Sequence, residues 1–225
     1  MEEHEYQLVD AADFGYLDLG YYSRTAAALR ANGFELLADI EDITLSRVHP
    51  QPRTFVRCLV SGDGATGTGI CHVKPKGWGT VARLLGVIPA AKGVDLGTEL
   101  SNGCFICTSN SVAAKNMTLP AQVMTEYLPC DTSVSRLLEI HRQRLEDYLQ
   151  QNPTVQIVPV HTLQDMISSQ NRQTAIKSAY YKSILGGLPE EEMADLAGPE
   201  PAEKGQAVLE EMRELEDPEH NERSD

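Results

Sequence analysis

The chain reads as an α+β protein: a mainly antiparallel sheet of about five or six strands, packed by two long helices in its C-terminal half. Three observations predict it. Asn102-Gly103 sits between the strand-type runs VDLGTELS and CFICTS, as a hairpin turn does. Gly62-Asp63-Gly64 separates two more such runs, TFVRCLVS and TGTGICHV. Apolar residues recur at helical spacing over about residues 132–150, and a second helical pattern spans about 162–186.

Taken in order, Ser23 caps a short helix, RTAAALRAN, that stops where Gly33 supplies a left-handed residue. Leu36 to Leu45 then reads as extended, and the two runs around Gly62-Asp63-Gly64 form a hairpin. Residues 80–88 lie in an apolar stretch, TVARLLGVI, that fits a helix or a strand equally. Counting outward from Asn102-Gly103 pairs Leu100 with Phe105, Glu99 with Ile106 and Thr98 with Cys107. Leu119 to Leu128 resembles one more strand. Asp131 or Thr132 caps a helix whose stripe is Val134, Leu137, Leu138, Leu145, Tyr148 and Leu149. A brief strand, Val155 to Val160, precedes a helix opened by Thr162 and Asp165 and ended by Gly186-Gly187 and Pro189.

Charge divides the chain. Of 33 acidic and 19 basic residues, fourteen acidic and three basic ones fall from Glu190 onward. The expected organisation is therefore one α+β domain over 1–189 and a disordered acidic tail over 190–225, too poor in large apolar residues to offset the entropy of ordering. Within that tail Leu209, Met212 and Leu215 fit a transient helical turn for partner docking, but an ordinary solvated tail is the favoured reading. A nearly balanced body and a tail that repels phosphates argue against nucleic acid and anionic membranes, which need clustered Lys and Arg. The N-terminus MEEHEYQLVD lacks a basic start followed by an apolar run, and no segment approaches the roughly 18 apolar residues of a membrane span. A cytoplasmic location follows as the expectation. Five cysteines, an odd number in strand-like contexts, fit reduced thiols better than a disulfide frame.

Several motifs invite a chemical reading. Gly62 to Gly67 spells G-x-G-x-x-G, but a strand-like run follows where dinucleotide binding needs a helix, and the nearest later acidic residue is Asp95. Cys104 and Cys107 form a C-x-x-C, yet on a strand they point to opposite faces; this disfavours both a zinc site with Cys71, His72 and Cys130 and a redox pair. His141 falls on the apolar stripe of its helix, as a buried histidine bonded to a strand carbonyl would. Asp39, Glu41 and Asp42 alternate with Ile40 and Ile43, as a half-solvated edge strand requires. Lys74, Lys76, Trp78 and Arg83, with Lys92 beyond them, combine cations with the chain's one tryptophan, a composition suited to partner contact or to the acidic tail, although the simpler reading has Trp78 closing the core edge and the lysines solvated.

No catalytic set converges, and neither a metal nor a cofactor is expected. The leading expectation is a non-catalytic protein-interaction or accessory protein with a protein partner. The alternative is an enzyme or small-ligand binder whose site, at the sheet edge, uses His72, Cys104 or His141.

Overall fold

The computed structural model describes residues 4–48, 53–73, 91–111 and 119–185. Among these, seven strands form one sheet whose spatial order follows chain order: β1 (Tyr6–Leu8), β2 (Phe34–Asp42), β3 (Val56–Ser61), β4 (Gly67–Val73), β5 (Ala91–Glu99), β6 (Phe105–Ser109) and β7 (Val123–Tyr127). Neighbours are antiparallel except β6 and β7, which run parallel. The sheet is thus larger than the five or six strands expected, and mixed. β1 is three residues long, too short to show alternation, and the direction of β7 depends on how the chain crosses back before Val123, which strand composition does not encode. The strand expected over 155–160 contributes a bridge between Leu100 and Ile157 rather than a full strand.

Among the described residues four α-helices accompany the sheet: α1 (Leu19–Arg30), α2 (Ile43–Val48), α3 (Val134–Gln151) and α4 (Leu163–Leu185). α1 starts a turn before the expected Ser23. Its cap is Asp18, whose carboxylate accepts the Tyr21 N–H, while Ser23 donates to the Leu19 carbonyl. Gly20 and the two tyrosines make that first turn a weak helical signal, so the sequence places the start too late. The stop at Gly33 holds, with φ at 85°. α3 is capped by Ser133, one or two residues beyond the expected cap. α4 begins with the reciprocal box anticipated from Thr162 and Asp165: each backbone N–H is met by the other's side-chain oxygen. α2 replaces the end of the extended run expected to reach Leu45.

Strand alternation assigns the two faces. Leu59, Ile70, Val94 and Leu96 turn toward α1 and α3 and pack with Tyr22, Leu29, Leu137 and Leu138, all buried. Gly67, Glu99 and Cys107 turn to the other side, where Met166, Arg172 and Gln173 of α4 meet them. The two C-terminal helices therefore cover opposite faces, and α1 shares its face with α3.

The hairpin between β5 and β6 departs from its expected register by one residue. Glu99 pairs with Phe105, Thr98 with Ile106 and Gly97 with Cys107, and the Leu100 N–H donates to the Cys104 carbonyl. The loop is Ser101-Asn102-Gly103, three residues instead of two, with Gly103 at φ 80° after a turn closed by its N–H on the Leu100 carbonyl. Asn-Gly serves both geometries: the three-residue form needs only its glycine in the left-handed region.

Leu137 is wholly buried beneath the sheet. Leu137→Ala should lower unfolding free energy by about 2–5 kcal/mol, the range for truncating a core leucine, as read from urea denaturation. A loss under 1 kcal/mol would contradict this packing.

Candidate functional site

On the face covered by α1 and α3, here the helix face, charges are held in pairs. Glu41, 1% exposed, receives two bonds from Arg53 at 2.7 and 2.5 Å and a third from the Ser46 hydroxyl at 2.6 Å. The Arg53 guanidinium holds its carboxyl below the usual range against the opposing effect of burial. Arg57 grips Asp39 in the same bidentate way, at 2.8 and 2.7 Å, and lies over the rings of Tyr22 and Phe55. Asp42 accepts from His4. These three acids were expected on a half-solvated edge strand. β1 covers that edge instead, and Asp39 and Glu41 are bonded to arginines across the helix face of the sheet.

Lys92 bonds the Asp18 carboxylate at 2.6 Å and lowers its pKa to about 2, while the Asp18 N–H donates to His72 Nδ1. The N-terminus of α1 is thereby tied to β4 and β5. Tyr22 completes the tie: its hydroxyl donates to the Phe55 carbonyl and accepts the His72 N–H, each at 2.9 Å.

His141, a sequence candidate, is buried between two threonines instead of bonding a strand carbonyl. Its Nε2 lies 3.0 Å from Thr98 Oγ1 and its Nδ1 3.1 Å from Thr108 Oγ1. The Thr98 hydroxyl donates to the Ala65 carbonyl, so the ring must donate from Nε2 and accept at Nδ1. Thr108 supplies that proton and in turn accepts from Arg144. One directed chain thus runs from Arg144 through Thr108, His141 and Thr98 to a backbone carbonyl, and it is complete with a neutral ring. Burial, aided by Arg144 and Arg142, pushes His141 down to about 4. This arrangement holds β5, β6 and α3 together and leaves neither ring nitrogen open to a substrate.

The other two histidine and cysteine candidates are apart from it. His72 anchors α1, and Cys104 packs among Leu100, Ile106 and Leu145 on the helix face. Cys107 points the other way, where its sulfur accepts the Gln173 amide at 3.1 Å; the two sulfurs of the C-x-x-C do diverge. Around Cys107 the α4 face carries Asp95, Ser109 and Lys177, over a floor of Gly67, Gly69, Gly93 and Gly97. Asp95 keeps exposed surface yet is crowded enough that burial pushes its carboxyl up, opposed by Ser109 and Lys177. Cys130 is exposed and lies outside every strand. Among the described residues no three metal-ligating side chains gather. The Gly62–Gly67 motif is the β3–β4 turn and the start of β4. Lys74, Lys76, Trp78 and Arg83, and the tail from Glu190, lie outside the described residues.

The feature that sequence reading missed is a groove of about 360 Å³ between α1 and the sheet, lined by Ser23, Ala26, Ala27 and Arg30 of α1, Leu36 of β2 and Arg57 of β3. Its cause is local. Alanine and serine are too short to fill the space between helix and sheet, and Leu36, at the edge of a register shift in β2, is left 41% exposed on the floor. The signal was present as the small-residue run Ala26-Ala27-Ala28, which reads simply as good helix formers until the facing strand is known.

Two outcomes follow. Because His141 is depressed in the fold, its contribution to stability is present above pH 6.5 and is lost as pH falls from 6.5 toward 4. The loss should reach about 2–3 kcal/mol by pH 4.5, at roughly 1.4 kcal/mol per pH unit, and His141→Gln should flatten that limb of the stability profile; an unchanged limb would refute the neutral buried ring. Burial pushes Cys58 and Cys71 up to about 12, so iodoacetamide at pH 8 should label Cys130 first and those two only on denaturation, as followed by peptide mass spectrometry. Comparison with family models, with curated proteins and with solved structures finds no match to this chain.

Proposed function

We propose that the chain is a non-catalytic interaction or accessory protein whose groove between α1 and β2 receives an acidic segment of a partner protein. The observation that carries this is Leu36, exposed on an apolar floor between Ala26 and Ala27 and rimmed by Arg30 and Arg57. An apolar side chain of the partner covers Leu36. Adjacent carboxylates meet Arg30 and the edge of Arg57 that Asp39 leaves unused, because Asp39 engages only Nε and Nη2. Arg57 is already fixed against Tyr22 and Phe55, so little side-chain entropy remains to be lost on binding. A cytoplasmic setting belongs to the same proposal, supported by five free thiols, three of them within the sheet. No described helix is long and apolar enough to cross a membrane.

The alternative, a small-ligand binder, is favoured by one observation on the opposite face. Asp95, Cys107, Gln173 and Lys177 present a carboxyl, a thiol, an amide and an ammonium above glycine backbone. Burial pushes the Cys107 thiol up, which keeps it protonated and suits recognition better than nucleophilic attack.

The test is fluorescence anisotropy with the full chain and a labelled peptide that places two leucines three residues apart among glutamates. Saturable binding on the order of micromolar is expected. Leu36→Asp and Arg30→Glu should each weaken it at least tenfold, about 1.4 kcal/mol, and 1 M NaCl should weaken it further. Binding that survives both substitutions would place the docking surface elsewhere.

A further inference from the structure

We infer that the groove's resident occupant is the chain's own acidic C-terminal segment, Leu209 to Glu216, which seats Leu209, Met212 and Leu215 over Leu36 and sets its carboxylates against Arg30 and Arg57. This rests on the groove reading above and names an occupant that competes with partners.

Three observations carry it. The first is pattern: LEEMRELE spaces its apolar residues three apart with three glutamates and Arg213 between them, so over about two turns of helix they would form an apolar strip flanked mostly by carboxylates, the complement of a leucine and alanine floor with arginines on the rim. The second is charge. The tail holds fourteen acidic and three basic residues, and Arg30 at the rim has no acidic partner among the described residues. The third is reach. Leu209 follows the last residue of α4, Leu185, by 24 positions, a tether of up to ~80 Å at ~3.3 Å per residue. A body of this length has a radius of gyration near ~16 Å, so the tether spans to either face. Tethering holds the segment at an effective concentration of about millimolar, so an intrinsic affinity of only about 0.1 mM is enough to occupy the groove and to weaken a competing peptide about tenfold.

The consequence is an autoinhibitory contact. A partner must displace the segment, and agents that neutralise or remove its charge open the groove. Salt weakens the contact because its charged part is exposed.

The experiment uses the full chain in two arms. In the first, Met212→p-benzoylphenylalanine is irradiated and the cross-linked peptides are mapped. Intrachain links to the stretch from Ser23 to Leu36 are expected, reduced at least fivefold by Arg30→Glu and by 0.5 M NaCl. Links to the Lys74–Arg83 segment, to another surface or to a second copy, or no links, overturn the inference. In the second arm Leu209→Ser, Met212→Ser and Leu215→Ser are combined, and the labelled leucine-glutamate peptide is titrated. Affinity about tenfold tighter than for the unaltered chain supports self-docking. Unaltered affinity overturns self-docking and leaves the partner groove standing, whereas absence of binding to both chains overturns the groove itself.

Discussion

Tyr22 is the constraint on which the remaining geometry depends. Among the described residues it is the largest wholly buried side chain, stacked on Phe55 at 4.3 Å between ring centres, with its hydroxyl shared between the Phe55 carbonyl and the His72 N–H. A buried hydroxyl that both donates and accepts cannot shift without leaving a polar group unpaired, a cost of about 1–3 kcal/mol. α1 is therefore held to the residue before β3 and to β4 at a single height and angle. His72, Asp18 and Lys92 repeat the fastening one turn earlier in the helix. With the helix held there, its next turn of small residues stands off from β2, and the groove over Leu36 is the result.

The same economy governs charge. Glu41, Asp39 and Glu99 lie across a sheet that buries much of its surface, and each is matched by an arginine through two bonds. For Glu99, burial raises the pKa, and Arg172 together with Ser169 more than reverses it. A buried charge without such a partner costs several kcal/mol, whereas exposed pairs such as Arg136 with Glu139 contribute little. The chemistry of these acids is spent on holding strands and helices together. Among the described residues, Arg30 at the groove rim and the groups around Asp95 on the α4 face keep capacity for a further partner, and the proposed readings draw on them.

Much of the fold was legible. The β3–β4 hairpin, the stop of α1 at Gly33, the stripe of α3 and the capping box of α4 are encoded by neighbouring residues, because a turn or a cap is decided within about four positions. The fate of the C-x-x-C was legible for the same reason: three steps along a strand reverse the face. The register of the β5–β6 hairpin was not, because Asn-Gly satisfies both a two-residue and a three-residue loop, and the competition is settled by which residues Leu100 and Glu99 find beside them. There the Val158 N–H donates to the Glu99 carbonyl and Ile157 bridges Leu100, contacts from more than fifty residues away.

By itself the sequence determined the local elements, the divergence of the two neighbouring cysteines, the acidic asymmetry between body and tail, and the expectation that His141 would be buried. Tertiary structure alone decided that β7 runs parallel to β6, that Asp39 and Glu41 meet arginines and not water, that His141 is satisfied by two hydroxyls, and that a groove opens beside α1. Local elements follow from interactions within a few residues, whereas pairing direction, ion-pair partners and gaps are properties of segments brought together from afar, and depend on the volume each side chain leaves for another.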